Sequence, residues 1–220
     1  MSRILVINPN SNDEVTRGIA LSLAGLDLPN GFGTECVTLA EGPFGVETQE
    51  DVDAVVDPLR RMILKRSDCS AFVIACYSDP GLSECRAACP DPVAGIQESA
   101  VTEAISLGGR FGVIALGPQS IERHARYMTA MGVMDRLAGE RPLRMTVAEG
   151  EQPEAFGRIC DVARELRDID KADSIILGCA GMARHRERLE AVLERPVIDP
   201  TRAAVIRLAR APSTALAHED

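Results

Sequence analysis

Short apolar runs alternate along the chain with stretches whose apolar residues recur at helical spacing. Ile4 to Ile7 reads as a buried strand, and Asn8-Pro9-Asn10-Ser11 as the turn after it. Ser11 and Glu14 have capping-box spacing, and Val15, Ile19, Leu23 and Leu26 then recur as one face of a helix. Glu35 to Ala40 predicts a second strand. Thr48 and Asp51 predict the cap of a helix reaching Arg66, kinked at Pro58. Ala71 to Cys76 is an unbroken apolar run. Asp79 and Pro80 behind it have the chemistry of an N-cap and a first helical residue.

The same order then repeats. Val93 to Gly95 predicts a short strand, followed by a helix from Gln97 to Leu107 that stops at Gly108-Gly109. Phe111 to Leu116 is a strand with Gly117-Pro118-Gln119-Ser120 as its turn, and Ile121 to Met131 is helical. Leu143 to Val147 reads as a strand, Pro153 to Ile169 as a helix, and Ser174 to Cys179 as another buried run. A charged helix near Arg184 to Glu194, a short extended Val197 to Asp199 and a helix from Thr201 to Ala211 close the pattern, before a frayed tail. Strands alternating with helices predict an α/β fold with mainly parallel sheets. Strand, proline turn and helix at Pro9 are matched at Pro118, and the run ending in Cys76 is matched by that ending in Cys179. The expected architecture is therefore two similar doubly wound domains facing each other across a cleft. The first comprises residues 1–95 with about 200–220 crossing back, and the second residues 96–199.

Composition narrows the function. The chain has 220 residues, enough for a substantial core, and a formal net charge of −9 with no basic stripe. That disfavours nucleic acid or an anionic membrane as partner. Aromatic residues are 3% with no Trp, poor material for stacking bases. No apolar run approaches the ~20 residues of a membrane span, and the opening run is short for a signal peptide. A cytoplasmic protein is expected. Seven cysteines, an odd number, suit reduced thiols better than a disulfide framework. Neither Lys65 nor Lys171 has the setting of a Schiff-base lysine, and no cofactor is expected.

Cys76 and Cys179 are the candidate catalytic residues. Each ends a buried run and opens onto a small-residue turn, Tyr77-Ser78-Asp79-Pro80-Gly81 and Ala180-Gly181-Met182. The carboxyl ends of parallel strands are where α/β sheets bind ligands. N–H groups of the following turns are expected to lower both thiol pKa values. Two matched thiols suit one substrate approached from both faces, so that a proton leaves one side of a carbon and another arrives on the other. Cys36, Cys69 and Cys160 read as packing residues. Cys85 and Cys89, four apart, lack a second Cys or His pair for zinc, and His124, His185 and His218 are scattered, so no metal site is expected. A Cys–His pair formed in space with His124 or His185 stays open.

These motifs resemble the aspartate/glutamate/hydantoin racemase superfamily, and within it the hydantoin and allantoin racemases. The likeness is carried by Ile7-Asn8-Pro9-Asn10-Ser11, by Cys76 with Ser78-Asp79-Pro80-Gly81, by Pro92-Val93-Ala94-Gly95-Ile96-Gln97-Glu98, and by Leu177-Gly178-Cys179-Ala180-Gly181-Met182. It implies two α/β domains with the site between them and cofactor-independent racemisation by two cysteines. Glutamate racemases follow their cysteines with Asn-Thr and Thr-His. Tyr77-Ser78 and Ala180-Gly181 stand there instead, favouring a neutral cyclic ureide over a free amino acid. Tyr77 also departs from the residue hydantoin racemases commonly carry.

The expected reaction is proton transfer at C5 of a 5-substituted hydantoin or allantoin. Asn8 and Gln119 would hold ring amides, with Asn10, Ser11, Phe44, Tyr77, Ser78, Ala180 and Gly181 completing the binding set. Turn N–H groups of Tyr77, Ser78, Ala180 and Gly181 would receive the carbonyl oxygen's charge. An Asp/Glu-type amino-acid racemase, a maleate-type cis–trans isomerase on the same cysteines, and a small-molecule binding protein of the same fold are the alternatives. A homo-oligomer is expected.

Overall fold

Across residues 2–211, which the computed structural model describes, the apolar runs form eight strands in two sheets. The first sheet holds β1 (Arg3–Asn8), β2 (Gly33–Thr38), β3 (Ala71–Ile74) and β4 (Val93–Gly95), in the order β2-β1-β3-β4. The second holds β5 (Phe111–Ala115), β6 (Leu137–Pro142), β7 (Ser174–Leu177) and β8 (Val197–Ile198), in the order β6-β5-β7-β8. Every pairing is parallel. The two orders superimpose strand for strand, so the repeat read in the sequence is a repeat of topology. Central strands β1, β3, β5 and β7 are buried almost throughout, as parallel strands covered on both faces must be.

Helices cover the sheets: α1 (Asp13–Leu23), α2 (Gln49–Ala54), α3 (Val56–Leu64) and α4 (Leu82–Ala88) belong to the first half of the chain. From the second come α6 (Pro118–Ala130), α7 (Val147–Glu151), α8 (Phe156–Asp168) and α9 (Arg186–Leu193). Between the halves runs α5 (Ile96–Leu107), against which α10 (Pro200–Arg210) packs, touching β3 and β4 as well. One apolar core is continuous through this joint, from Ile4, Val6 and Val73 to Phe111, Val113 and Ile176.

Several element ends differ from the sequence reading. The helix expected from Thr48 to Arg66 keeps its Thr48–Asp51 capping box but breaks at Val55. Pro58 sits in the first turn of α3, where its missing N–H has no helical partner to lose. The cap of α1 is Asn12, whose side chain accepts the Glu14 N–H at 3.0 Å, rather than Ser11. Asp79 does not cap α4, which begins at Leu82 behind Gly81 in a left-handed conformation (φ 65°). Its carboxylate instead accepts the N–H groups of Gln97 and Glu98, both at 2.9 Å, and so caps α5. Pro118 is the first residue of α6, not a turn. The strand expected at Leu143–Val147 lies earlier, as β6; this half-buried edge strand carries Glu140 and Arg141, which hide its period. Residues 143–147 run into α7, which the sequence reading missed. The charged helix begins as a tight 3-10 segment, Ala180–His185, directly after Cys179. The expected frayed tail from 212, with His218, lies outside the described residues.

Candidate active site

In two parallel sheets of like order, the carboxyl ends of corresponding strands present corresponding turns. Here the turns after β1, β3, β5 and β7 converge on one cavity of about 100 Å³. Pro9 and Asn10 come from the first turn, and Ala75, Cys76, Tyr77 and Ser78 from the second. Leu116, Gly117, Gln119 and Ser120 follow β5, and Gly178, Cys179, Ala180 and Gly181 follow β7. The two cysteines therefore line one space from different halves of the chain. Gly178 is required there, because a Cβ at that position would lie 2.5 Å from the Ile114 carbonyl oxygen.

Both sulfurs sit in nests of hydrogen-bond donors. Cys76 Sγ receives the Ser78 backbone N–H and hydroxyl. Cys179 Sγ receives the N–H groups of Gly181 and Met182. The expected pKa-lowering donors are thus present, but burial outweighs them. Desolvation pushes the Cys76 thiol up to about 11, with Ser78 opposing, Asp79 adding and the Arg123 charge opposing. It pushes Cys179 up to about 12, with the Gly181 N–H opposing and the Cys76 charge adding to the rise. The thiols thus sense each other across the cavity.

Of the expected binding residues, Asn10, Tyr77, Ser78, Gln119, Ala180 and Gly181 line the cavity with the cysteines. Asn8, Ser11 and Phe44 do not. The Asn8 carboxamide is consumed by its own turn: Nδ2 donates to Asn10 Oδ1 (2.8 Å), Thr16 Oγ1 (3.0 Å) and Asn12 O (3.2 Å). Asn10 Oδ1 also accepts the Asn12 N–H, which leaves the Asn10 amide nitrogen as the end available to the cavity. The backbone N–H of Ser11 donates to Pro43 O (2.8 Å), tying the turn to the loop before α2. Phe44, at the tip of that loop, is 65% exposed.

Arg123 and Glu47 escaped the sequence reading, in which His124 stood only as an open partner for a cysteine. Arg123 and His124 stand one helical turn beyond Gln119 and Ser120 on α6, facing the same cavity. That spacing was readable once the helix starts at Pro118. His124 Nδ1 lies 2.6 Å from Glu140 Oε1, with both side chains 2% exposed. The Tyr77 ring packs edge-on against His124, centroids 4.9 Å apart. From the loop before α2 comes Glu47, whose Oε1 accepts the Val147 N–H (3.0 Å) and whose carbonyl accepts from Arg123 (3.0 Å). Cys85 and Cys89 pack in the apolar core beneath α4. Among the described residues no group of His, Cys, Asp and Glu has the arrangement of a metal site. No described helix is long and apolar enough to cross a membrane.

Residues 4–208 match the model of the Asp/Glu/hydantoin racemase family. The chain belongs to that family. It is 34% identical to a hydantoin racemase of Pseudomonas sp. (strain NS671), over 92% of this chain and 83% of that one. Its fold is similar to that of allantoin racemase from Pseudomonas fluorescens, with a TM-score of 0.88 and 27% identity over 94% of this chain and 88% of that one. Allantoin racemase from Klebsiella pneumoniae gives a TM-score of 0.87 at 27% identity, covering 94% and 86%. As a member of the racemase family the chain is an enzyme of the isomerase class. The cavity between its two sheets is its candidate active site.

Proposed function

We propose that this racemase inverts C5 of a hydantoin-like cyclic ureide, a 5-substituted hydantoin or allantoin, by proton transfer between Cys76 and Cys179 without a cofactor. The observation that carries this reading is the pair of matched thiols lining one cavity from opposite halves of the chain, near enough for the charge of one to oppose ionisation of the other. That coupling favours one thiolate and one thiol at a time, the state that two-base racemisation needs. The thiolate removes the C5 proton and the opposite thiol returns one to the other face; for the other enantiomer the roles exchange. A thiolate with a raised pKa is scarcer but more basic, which suits a weakly acidic C–H. The N–H groups on each sulfur hold the charge on either side of the reaction. Asn10 and Gln119 hydrogen-bond the ring amides.

The test follows the optical rotation of one enantiomer of a 5-substituted hydantoin, and separately of allantoin, with the wild type, Cys76→Ala and Cys179→Ala. Each variant is expected to lose racemisation by ~10²–10⁴-fold, the usual worth of a positioned acid or base. Racemisation at the wild-type rate in either variant would overturn the two-base reading.

A further inference from the structure

The cavity wall carries a cation, Arg123, whose charge favours the Cys76 thiolate and whose hydrogen-bonding capacity is not used up within the protein. Arg123 lines the cavity, and its Nε is buried with no hydrogen-bond partner. Its two terminal nitrogens donate to backbone carbonyls, Gln119 O at 3.3 Å and Glu47 O at 3.0 Å. Neither is a charge, so the guanidinium is held in place without being neutralised by its anchors. The Arg123 charge acts on the Asp51 carboxylate, but no hydrogen bond or ion pair joins Arg123 to an acidic side chain. Glu47 Oε1 accepts the Val147 N–H, and Asp51 Oδ2 accepts the N–H groups of Glu47 (3.0 Å) and Thr48 (2.8 Å). A buried guanidinium N–H without an acceptor is costly, and a ligand oxygen removes that cost.

The position selects which part of a ligand supplies the oxygen. Glu47 and Gln119 are both exposed, so they anchor Arg123 toward the cavity mouth. The sulfurs lie just after β3 and β7 end. With C5 held between the sulfurs and the ring amides on Asn10 and Gln119, the C5 substituent is the part of the ligand left to meet another wall residue. We propose that Arg123 reads a carboxylate on the C5 substituent, so that the preferred substrates are hydantoins with an anionic side chain. This rests on the racemase reading above and narrows its substrate class. A guanidinium suits this role because it meets a carboxylate with directed, charge-assisted bonds.

The experiment compares racemisation of 5-(2-carboxyethyl)hydantoin with that of its near-isosteric amide, 5-(2-carbamoylethyl)hydantoin, at neutral pH. The wild type is expected to prefer the carboxylate in kcat/KM by roughly 10- to 100-fold, the range of a charge-assisted hydrogen bond. In Arg123→Gln that preference collapses, because kcat/KM falls further for the carboxylate than for the amide; a fall common to both substrates reflects the lost Arg123 charge near Cys76. Arg123→Lys retains part of the preference, which separates charge from folding. A wild type that favours the amide, or an Arg123→Gln loss equal for both substrates, would overturn the assignment and leave the racemase reading standing. Failure of the wild type to racemise either hydantoin, or allantoin, would overturn both.

Discussion

Replacing Asp79 with Asn tests the joint between the two halves. Asp79 sits on the turn that presents Cys76, yet its carboxylate caps α5, the helix connecting the sheets. It is buried at 5% exposure, and desolvation raises its pKa from 3.8 to about 7 against the two N–H groups that oppose the rise. The folded state therefore holds the proton more tightly than the unfolded chain. Stability from this group is fully present below about pH 4 and declines as pH rises to about 7. The rise from 3.8 to about 7 corresponds to about 4 kcal/mol.

An Asn cannot ionise, so it carries no such decline. Its carboxamide has one acceptor for two N–H groups, which imposes a pH-independent loss of about 1–2 kcal/mol. Urea unfolding of both proteins from pH 4 to 8 gives the difference in stability at each pH, and the common titrations of other carboxylates cancel. The wild type is expected to be the more stable at pH 4 and the variant at pH 8, with the difference moving by about 4 kcal/mol. A difference constant to within about 1 kcal/mol across that range would refute the reasoning.

The thiols make a second pH prediction. At pH 8, alkylation by iodoacetamide, read by peptide mass mapping, is expected to be at least about 10-fold slower at both Cys76 and Cys179 than for an ordinary thiol of pKa 9.0. Both rates should climb about tenfold per pH unit through pH 9; a plateau near pH 8 would show that the turn N–H groups, not burial, govern the sulfurs. Glu140→Leu leaves His124 Nδ1 without its buried partner and is expected to cost about 1–3 kcal/mol in urea unfolding, with Glu140→Gln milder because it retains an acceptor.

How much of this was legible in the sequence depended on how local each cause was. The central strands were readable because burial on both faces forces continuous apolar runs such as Ala71-Phe72-Val73-Ile74. The matching of Cys76 with Cys179 was readable because equivalent strands in two units of one topology end in equivalent turns. Asp79 was misread because its position satisfies a local capping rule, while its acceptors belong to Gln97 and Glu98 on another helix. Edge strand β6 was misplaced because Glu140 and Arg141 have distant partners, His124 on one side and Glu165 with Asp170 on the other. Asn8 looked like a ligand donor since nothing local shows that Asn10 and Thr16 consume its carboxamide. Arg123 was hidden by starting α6 after Ser120 rather than at Pro118, and His124 was named without the helix register that turns it to the cavity.

The measurement that bears most directly on the two-thiol mechanism is hydrogen exchange at C5 in D2O, followed by proton NMR together with optical rotation. Each enantiomer of a 5-substituted hydantoin is incubated with the wild type, Cys76→Ser and Cys179→Ser. The wild type should exchange C5–H and racemise both enantiomers. Each serine variant should lose racemisation yet still exchange the proton of one enantiomer, and the two variants should act on opposite enantiomers, since each retains the base on a different face. Racemisation at the wild-type rate in either variant, or exchange of the same enantiomer by both, would contradict a mechanism in which Cys76 and Cys179 serve the two faces of one carbon.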